Sequence, residues 1–240
     1  ILVRNGNSST GLPKWANVKS LVAPVIDKNA TIPENCKLDN VFYIRYDSGA
    51  PRAFKYEWIT PATDTNIIGI GVVECGRLLV IALDEGSYNG EETLYWGPSN
   101  ETVYSRSAST DLNSYTGLPT STQHPTSDRR AAQSDFTGEQ ALEAWKGKYT
   151  SLQNPEQYAQ GFCAAYSRKD SNGLGWDAGT WRLPTLAELR IIFANYNKIN
   201  FLLSKMTASG VSKTLLTRNA YWSCTEYSPA NAWYLNFIIG

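Results

Sequence analysis

Cysteine and histidine are the first side chains to consider for chemistry in this chain of 240 residues. The four cysteines, Cys36, Cys75, Cys163 and Cys224, lie far apart and form no CxxC pair, and the single histidine, His124, lies in a Ser/Thr/Pro/Gln-rich stretch. Zinc sites need about four closely spaced Cys and His ligands, so no zinc site is predicted. Whether the cysteines form one or two disulfides or remain free and buried is left open.

The remaining candidate groups do not form a catalytic set either. A serine nucleophile needs a histidine held beside it, and the sole histidine lies in loop sequence. Cys224 has no nearby cysteine and no neighbouring basic cluster to lower its pKa. Calcium needs six to eight oxygen ligands, which cannot be assembled here. We expect no enzyme, no metal and no other cofactor, and we expect Glu226 to hydrogen-bond loop backbone.

Charge and hydropathy restrict the partners. Lys plus Arg and Asp plus Glu both number 22, so the net charge is zero, and without a basic run the chain has no electrostatic footprint for nucleic acid. No apolar run reaches the ~18 residues of a membrane helix, so no direct membrane span is expected. Because neither an initiator methionine nor a leader opens the chain, we expect a mature or trimmed sequence that has lost its signal peptide.

The predicted secondary structure divides the chain into two segments. Residues 1–63 show strand-like runs around a turn at 47–51 and are predicted to form a small β-rich accessory segment. In residues 64–240, two apolar runs at 67–73 and 78–83 flank a glycine and predict a buried hairpin.

Helix signals follow the hairpin. Capping residues at Thr137, Asn154 and Thr185 each precede apolar residues spaced by three or four, and two of the predicted helices lie near 155–167 and 185–196. Strands, then helices, then strands without βαβ alternation predict an α+β fold. We expect the opening hairpin and the terminal strands to share one sheet.

Two segments make the pattern specific. GTWRLPTLAELRIIF is followed about thirty residues later by YWSCTEYSPANAWYLNF. Together they resemble the C-type-lectin-like fold and, more narrowly, the bacterial DUF1566 or Lcl C-terminal domain family, which shows a W-x-L-P-[ST]-x-x-E-L stretch before a helix and then W-S-[ST]-T-E-Y and A-W-x-x-x-F strands. The matching residues are Trp181, Leu183, Pro184, Thr185, Glu188, Leu189, Trp222, Ser223, Thr225, Glu226, Tyr227, Ala232, Trp233 and Phe237. Cys224 departs from the serine that is usual in the family.

The resemblance implies a function. It indicates an exported, adhesin-like ligand-binding protein at the bacterial cell surface, such as a lipoprotein or the tip of a fimbria, whose ligand is a protein or glycan on a host or microbial surface. The calcium-dependent sugar motifs of animal C-type lectins, E-P-N or Q-P-D and W-N-D, do not occur. Two alternatives stay open. One is an enzyme like the formylglycine-generating enzymes, acting through Cys224 or Glu226; the other is a structural fimbrial or surface scaffold.

Strand alternation assigns candidate contact residues in the terminal hairpin. Trp233, Leu235 and Phe237 fall on one face, which suits a core, and the residues between them fall on the other. The predicted ligand contacts are Tyr227, Ser228, Asn231, Tyr234, Asn236, Ile238 and Ile239. The predicted fixed scaffold is Trp222, Trp233, Leu235 and Phe237. The alternative is that a further strand or domain covers the outward face.

The family includes variable proteins of diversity-generating retroelements, which rewrite adenines in codons of this hairpin. A template resembling NAWNLNFNNG becomes NAWYLNFIIG when the asparagine codons at positions 234, 238 and 239 are rewritten. The resemblance therefore predicts that these positions vary among sister proteins.

Overall fold

The chain is α+β, as its order of elements predicts. The computed structural model describes the backbone of residues 2–3 and, beyond it, residues 38–47, 49–74, 76–91, 93–98, 125–149, 152–208, 211, 213–217, 219–228 and 231–237. The two longest stretches outside the described part of the chain are residues 4–37 and 99–124, and the last three residues, 238–240, also lie outside it.

The main sheet is antiparallel throughout. Its strands are β1 (Leu2–Val3), β2 (Val41–Asp47), β3 (Ala50–Phe54), β4 (Ile67–Glu74) and β5 (Arg77–Ile81), in the order β1-β5-β4-β2-β3. The predicted hairpin is confirmed as β4 and β5, whose register places Ile70 opposite Ile81. β-Branched residues and a turn at Gly76, which has φ of 69°, favour a hairpin over a helix here.

The predicted boundary between 1–63 and 64–240 runs through this sheet. Strand β2 pairs directly with β4, for example Tyr43 with Ile70. Val41 and Phe54 belong to the same hydrophobic core as Ile67. The part of residues 1–63 that the structure describes from Leu38 onward therefore packs as one body with the larger segment, because both share hydrogen bonds and core.

Helices cover the sheet in the second half of the chain. They are α1 (Arg129–Ala132), α2 (Gly138–Tyr149), α3 (Ala159–Ala165), α4 (Leu186–Ala194) and α5 (Tyr196–Lys205). The helices predicted near 155–167 and 185–196 are α3 and α4, although Pro155–Gln157 forms a separate 3-10 turn before α3. None of the helices in the described ranges is long and apolar enough to cross a membrane.

Helix α4 begins where its capping box predicts. The hydroxyl of Thr185 accepts a hydrogen bond from the Glu188 N–H at 3.3 Å, and the Glu188 carboxylate accepts one from the Thr185 N–H at 2.9 Å. These bonds satisfy backbone donors that a helix N-terminus leaves open. The end of the WRLPT segment is thereby fixed in space, and its Pro184 carbonyl accepts a hydrogen bond from the Cys224 N–H at 2.7 Å.

The remaining strands form two small hairpins, β6 (Arg168–Lys169) with β7 (Gly175–Trp176), and β8 (Ala220–Ser228) with β9 (Asn231–Asn236). Within the described ranges β8 and β9 pair only with each other. The expectation that the terminal strands share a sheet with the opening hairpin is therefore wrong for these residues. The terminal hairpin is connected to the rest of the protein by side-chain packing and by single backbone hydrogen bonds, such as that from the Cys224 N–H to the Pro184 carbonyl.

The core lies between the main sheet and helices α4 and α5. Phe237, at the end of the terminal hairpin, is 4% exposed and joins this core through rings of three neighbours. Its ring centroid lies 5.1 Å from that of Phe193, 5.9 Å from that of Tyr196 and 4.6 Å from that of Tyr221. Burying one such ring stabilises a fold by about 1.5–3 kcal/mol, so Phe237 anchors the hairpin.

Candidate functional site

The terminal hairpin carries the predicted contact residues on two faces. Trp222 lies directly opposite Tyr234 across the strands, and their ring centroids are 6.0 Å apart at 84°. Tyr227 instead contacts Trp233, at 5.2 Å. Because residues 233 and 234 point to opposite sides of β9, Tyr227 and Tyr234 lie on different faces and do not form one surface.

The side chains differ in exposure. Tyr234 is 55% exposed and Tyr227 45%. Asn236 is half-buried and pairs with Ala220, two residues from the pair of Trp222 and Tyr234, so it shares their face. Both tyrosines are thus accessible to a ligand, each from its own side.

The tip of the hairpin is braced by its own polar side chains. The Asn231 amide donates to the Ser228 hydroxyl at 2.8 Å, and Asn231 is exposed while Ser228 is half-buried. The other two predicted contacts, Ile238 and Ile239, lie outside the described residues. The predicted contacts that the structure describes therefore fall into three groups: Tyr234 with Asn236 on one face, Tyr227 on the other face, and Ser228 with Asn231 at the tip.

Trp222 is predicted as fixed scaffold behind the contact residues, but it does not lie behind them. It is 38% exposed and pairs with Tyr234, and directly paired residues share a face of a hairpin. Its indole N–H donates to the Leu94 carbonyl at 3.0 Å, which fixes the ring while leaving it accessible. Trp222 thus belongs with the candidate contact residues.

The other predicted scaffold residues lie on the inner side. Phe237 is buried and Leu235 packs against the same core. Trp233 is half-buried, and its indole N–H donates to the Thr126 carbonyl at 2.9 Å. These contacts attach one side of β9 to the domain, so that the Tyr234 side remains open.

A further exposed tyrosine, Tyr95, lies next in sequence to the residue that binds Trp222. It is 71% exposed and follows Leu94, whose carbonyl accepts the hydrogen bond from Trp222. Its ring lies 6.5 Å from that of Tyr158. We call Tyr95, Trp222 and Tyr234 together the aromatic face, because Trp222 contacts Tyr234 and is hydrogen-bonded to the residue that precedes Tyr95. Sequence reasoning missed Tyr95 because its approach to the hairpin is non-local.

A buried polar network holds β8 in place behind the aromatic face. The Thr225 hydroxyl donates to the Asp135 carboxylate at 2.6 Å and accepts from the Leu186 N–H at 3.0 Å. The other Asp135 oxygen accepts from the Thr137 N–H at 2.9 Å and from its hydroxyl at 2.5 Å. In a dry interior, satisfied hydrogen bonds specify one arrangement; β8 is therefore fixed relative to helices α2 and α4.

A buried ion pair supports the same region. The Arg182 guanidinium donates to both carboxylate oxygens of Glu188, at 2.7 and 2.8 Å, and both residues are nearly inaccessible to solvent. Burial would lower the pKa of Arg182, but the charge and hydrogen bonds of Glu188 outweigh it and hold that pKa above its ordinary value. Arg182 is therefore a permanent cation, and its role is structural.

The candidate catalytic residues of the enzyme alternative are enclosed. Cys224 is completely buried, and its backbone N–H donates to the Pro184 carbonyl at 2.7 Å. Glu226 is equally buried, and its backbone carbonyl accepts from the Thr126 N–H at 2.9 Å. A reaction at either side chain would require a route through the surrounding core.

The cysteines and the lone histidine offer no metal site in the described ranges. Cys163 and Cys224 form no disulfide with each other, while Cys36, Cys75 and His124 lie outside the described residues. No group of three His, Cys, Asp or Glu side chains that could hold a metal ion occurs among the residues that the structure describes.

A cavity of about 210 Å³ lies beside the hairpin, between the end of β5, helices α3 and α4, and β8. Two carboxylates lie on its wall and accept hydrogen bonds from tyrosines: Asp84 from Tyr166 at 2.8 Å, and Glu85 from Tyr221. Burial, with a contribution from the carboxylate, raises the pKa of each tyrosine. Both hydroxyls therefore act as hydrogen-bond donors across the physiological pH range.

Comparison of the chain with protein-family models, curated proteins and solved structures finds no match. The resemblance to the C-type-lectin-like family therefore rests on the motif residues alone.

Proposed function

We propose that this chain is an exported ligand-binding protein of the bacterial cell surface, with a C-type-lectin-like domain, that contacts a partner protein through its aromatic face. The observation that carries this proposal is the exposed pair Trp222 and Tyr234 on the terminal hairpin. Large exposed aromatic groups that form a patch often mark an interaction surface.

The composition of the aromatic face supports a protein partner. Tyr and Trp are enriched at the centres of protein interfaces, whereas charged residues are depleted there. Tyr95, Trp222 and Tyr234 are neutral, and so is Asn236 beside them. The partner surface that would complement them is neutral and partly apolar, so binding should depend only weakly on salt concentration.

The aromatic face is also largely pre-formed. The Trp222 ring is held by its hydrogen bond to Leu94 and by its contact with Tyr234. A side chain already fixed in its bound orientation loses little entropy on binding, and tyrosine and tryptophan give much contact area for few rotatable bonds. These residues are therefore suited to be the few anchors that dominate binding energy.

Panning of a displayed random-peptide library on the immobilised chain tests the proposal. Enriched peptides should lose at least about tenfold in affinity when Tyr234→Ala is introduced, the loss expected for an anchor residue. Tyr227→Ala is the matched control, because it removes an exposed tyrosine from the other face of the same hairpin. A glycan array run in parallel separates the two ligand classes.

The outcomes are distinct. Peptides that depend on Tyr234 and not on Tyr227 support the aromatic face as the contact surface. Dependence on Tyr227 alone would move the contact to the opposite face, and glycan binding without peptide binding would replace the protein partner by a sugar. Failure of both probes to bind would contradict the proposal.

A further inference from the structure

The cavity beside the hairpin is a second candidate site, separate from the aromatic face except for Trp222, which borders both. Its wall combines apolar side chains from β5, α3 and α4 with the acidic pair Asp84 and Glu85. Apolar pockets with a few placed polar groups are typical of small-molecule sites. The chemistry of the wall indicates which molecules it suits.

The two carboxylates differ in their partners. Asp84 is balanced by Arg168, whose guanidinium lies 3.5 Å from the Asp84 carboxylate. Glu85 accepts a hydrogen bond from the neutral hydroxyl of Tyr221, and in the described part of the chain it forms no ion pair. The cavity wall therefore carries one negative charge that no described cation balances, which attracts a positively charged group.

Aromatic rings make up much of the remaining wall. Phe162, Tyr166, Trp181 and Tyr221 all line the cavity. The faces of such rings carry negative electrostatic potential and attract ammonium groups within about 6 Å of the ring centre. Acidic and aromatic groups thus favour the same kind of ligand.

Trp181 adds a free donor. The side chain is completely buried, and within the described ranges its indole N–H has no hydrogen-bond partner. Buried donors are satisfied in nearly all native structures. In an occupied site, a ligand atom or an ordered water accepts a hydrogen bond from such a donor. An unpartnered N–H on a residue that lines a cavity is therefore expected where a ligand or a water binds.

The volume limits the size of the ligand. A dry protein cavity of roughly 150 Å³ takes up benzene, and this cavity measures about 210 Å³. A single ring with a short side chain therefore fits, whereas a peptide or an oligosaccharide does not.

We propose that this cavity binds a small organic cation, with its ammonium group at Glu85 and its aromatic or aliphatic body among the rings of Phe162, Tyr166 and Trp181. The site is independent of the proposed protein contact, since only Trp222 is common to the two.

Three probes of nearly equal shape test the charge preference on the unaltered protein. Titration calorimetry at low salt compares phenethylammonium, 2-phenylethanol and phenylacetate, which are a cation, a neutral molecule and an anion. Phenethylammonium should bind about tenfold more tightly than 2-phenylethanol, as expected for one partly buried charge pair, and phenylacetate should bind most weakly. Equal affinity for the cation and the alcohol, or no binding by any probe, would overturn the proposal.

Two variants locate the charge. Glu85→Gln should weaken phenethylammonium binding about tenfold, to the level of the alcohol, and leave 2-phenylethanol unaffected. Glu91→Gln is the matched control, because Glu91 is an exposed acid outside the cavity wall. If both variants weaken the cation equally, the attraction comes from overall charge and the assignment to Glu85 is wrong.

Nuclear magnetic resonance locates the probe. Bound phenethylammonium should shift the indole N–H signal of Trp181 and spare that of Trp96, which is bonded to the Ser223 carbonyl away from the cavity. Loss of probe binding in Tyr234→Ala, with Trp181 unshifted in the wild type, would place the probe on the aromatic face and refute the cavity site. Failure of the peptide experiment leaves this result untouched, so the two proposals are tested separately.

Discussion

Gly138 packs directly against the guanidinium group of Arg182: a Cβ atom at position 138 would lie 2.0 Å from Nη1 and 2.4 Å from Cζ. The guanidinium cannot move aside, because two hydrogen bonds hold it to Glu188. Helix α2 can therefore approach the ion pair only with glycine at its first residue. The close approach connects α2, the WRLPT segment and α4.

We predict that Gly138→Ala destabilises the protein. The added methyl group overpacks a rigid site, at a typical cost of about 1–3 kcal/mol. The matched control is Gly147→Ala on the same helix, where no atom of the described residues outside the helix backbone lies within 4 Å of the added Cβ; it should be neutral or stabilising by up to about 1 kcal/mol. Denaturant unfolding measures both. Equal effects at the two positions would contradict the packing seen at Arg182.

The ion pair itself gives a second prediction. Glu188→Gln keeps the shape of the side chain but leaves the Arg182 charge buried without its counter-charge, and should cost about 3–5 kcal/mol in the free energy of unfolding. The double variant Arg182→Met with Glu188→Gln removes both charges and should lose less than the two single variants combined. Additive losses would show that the two side chains are not energetically coupled.

Two aromatic residues of the terminal hairpin, Phe237 and Tyr234, separate scaffold from surface. Phe237→Ala removes a ring that is 4% exposed and touches three other rings, so it should cost about 3–5 kcal/mol. Tyr234→Ala removes a ring that is 55% exposed and contacts Trp222, and should cost about 1 kcal/mol or less. Unfolding curves of the two variants check the difference, and a larger loss at Tyr234 would reverse the assignment.

The strands and helices that were predicted correctly are those determined by residues close together in the sequence. The hairpin of β4 and β5 follows from β-branched runs around Gly76, and the start of α4 follows from the capping box of Thr185 and Glu188. Both depend on residues within a few positions of each other, so the sequence contains the whole signal.

Contacts between residues far apart in the sequence were not predicted. The pairing of β2 with β4, which crosses the predicted boundary at residue 63, has no signature in either strand alone. The outward position of Trp222 depends on its pairing with Tyr234, and the register shift between Trp222 and Glu226 breaks simple alternation along β8. The approach of Tyr95 and the cavity wall likewise depend on how separate elements meet.

Stability at high pH should depend on Tyr43. Its hydroxyl donates to the Leu202 carbonyl at 2.7 Å, and burial, with a smaller effect of Tyr56, raises its pKa well above the ordinary value near 10. Since the folded-state pKa is the higher one, stability is fully present below about pH 10 and falls above it, as the unfolded chain releases the proton. The expected slope is about 1.4 kcal/mol per pH unit for this group.

Tyr43→Phe removes that contribution to the slope. The variant should be less stable than wild type at pH 7 by about 1 kcal/mol, the typical value of one hydrogen bond, and the difference should shrink or reverse by pH 11. Denaturant unfolding at the two pH values measures this. A difference that stays constant would mean that Tyr43 titrates alike in the folded and unfolded states.

Variation among sister genes gives the last prediction, which follows from the resemblance to retroelement variable proteins. The exposed position 234 can change at little cost in stability, since surface substitutions usually stay within about 0.5 kcal/mol, whereas Leu235 and Phe237 pack in the core. Sequencing the 3′ end of the gene in related strains should therefore show substitutions at 234, 238 and 239 and none at 235 and 237. A nearby reverse transcriptase gene with a near-copy of the 3′ coding end should accompany them. Substitutions spread evenly over both sides of β9, or sparing 234, would refute a diversified surface.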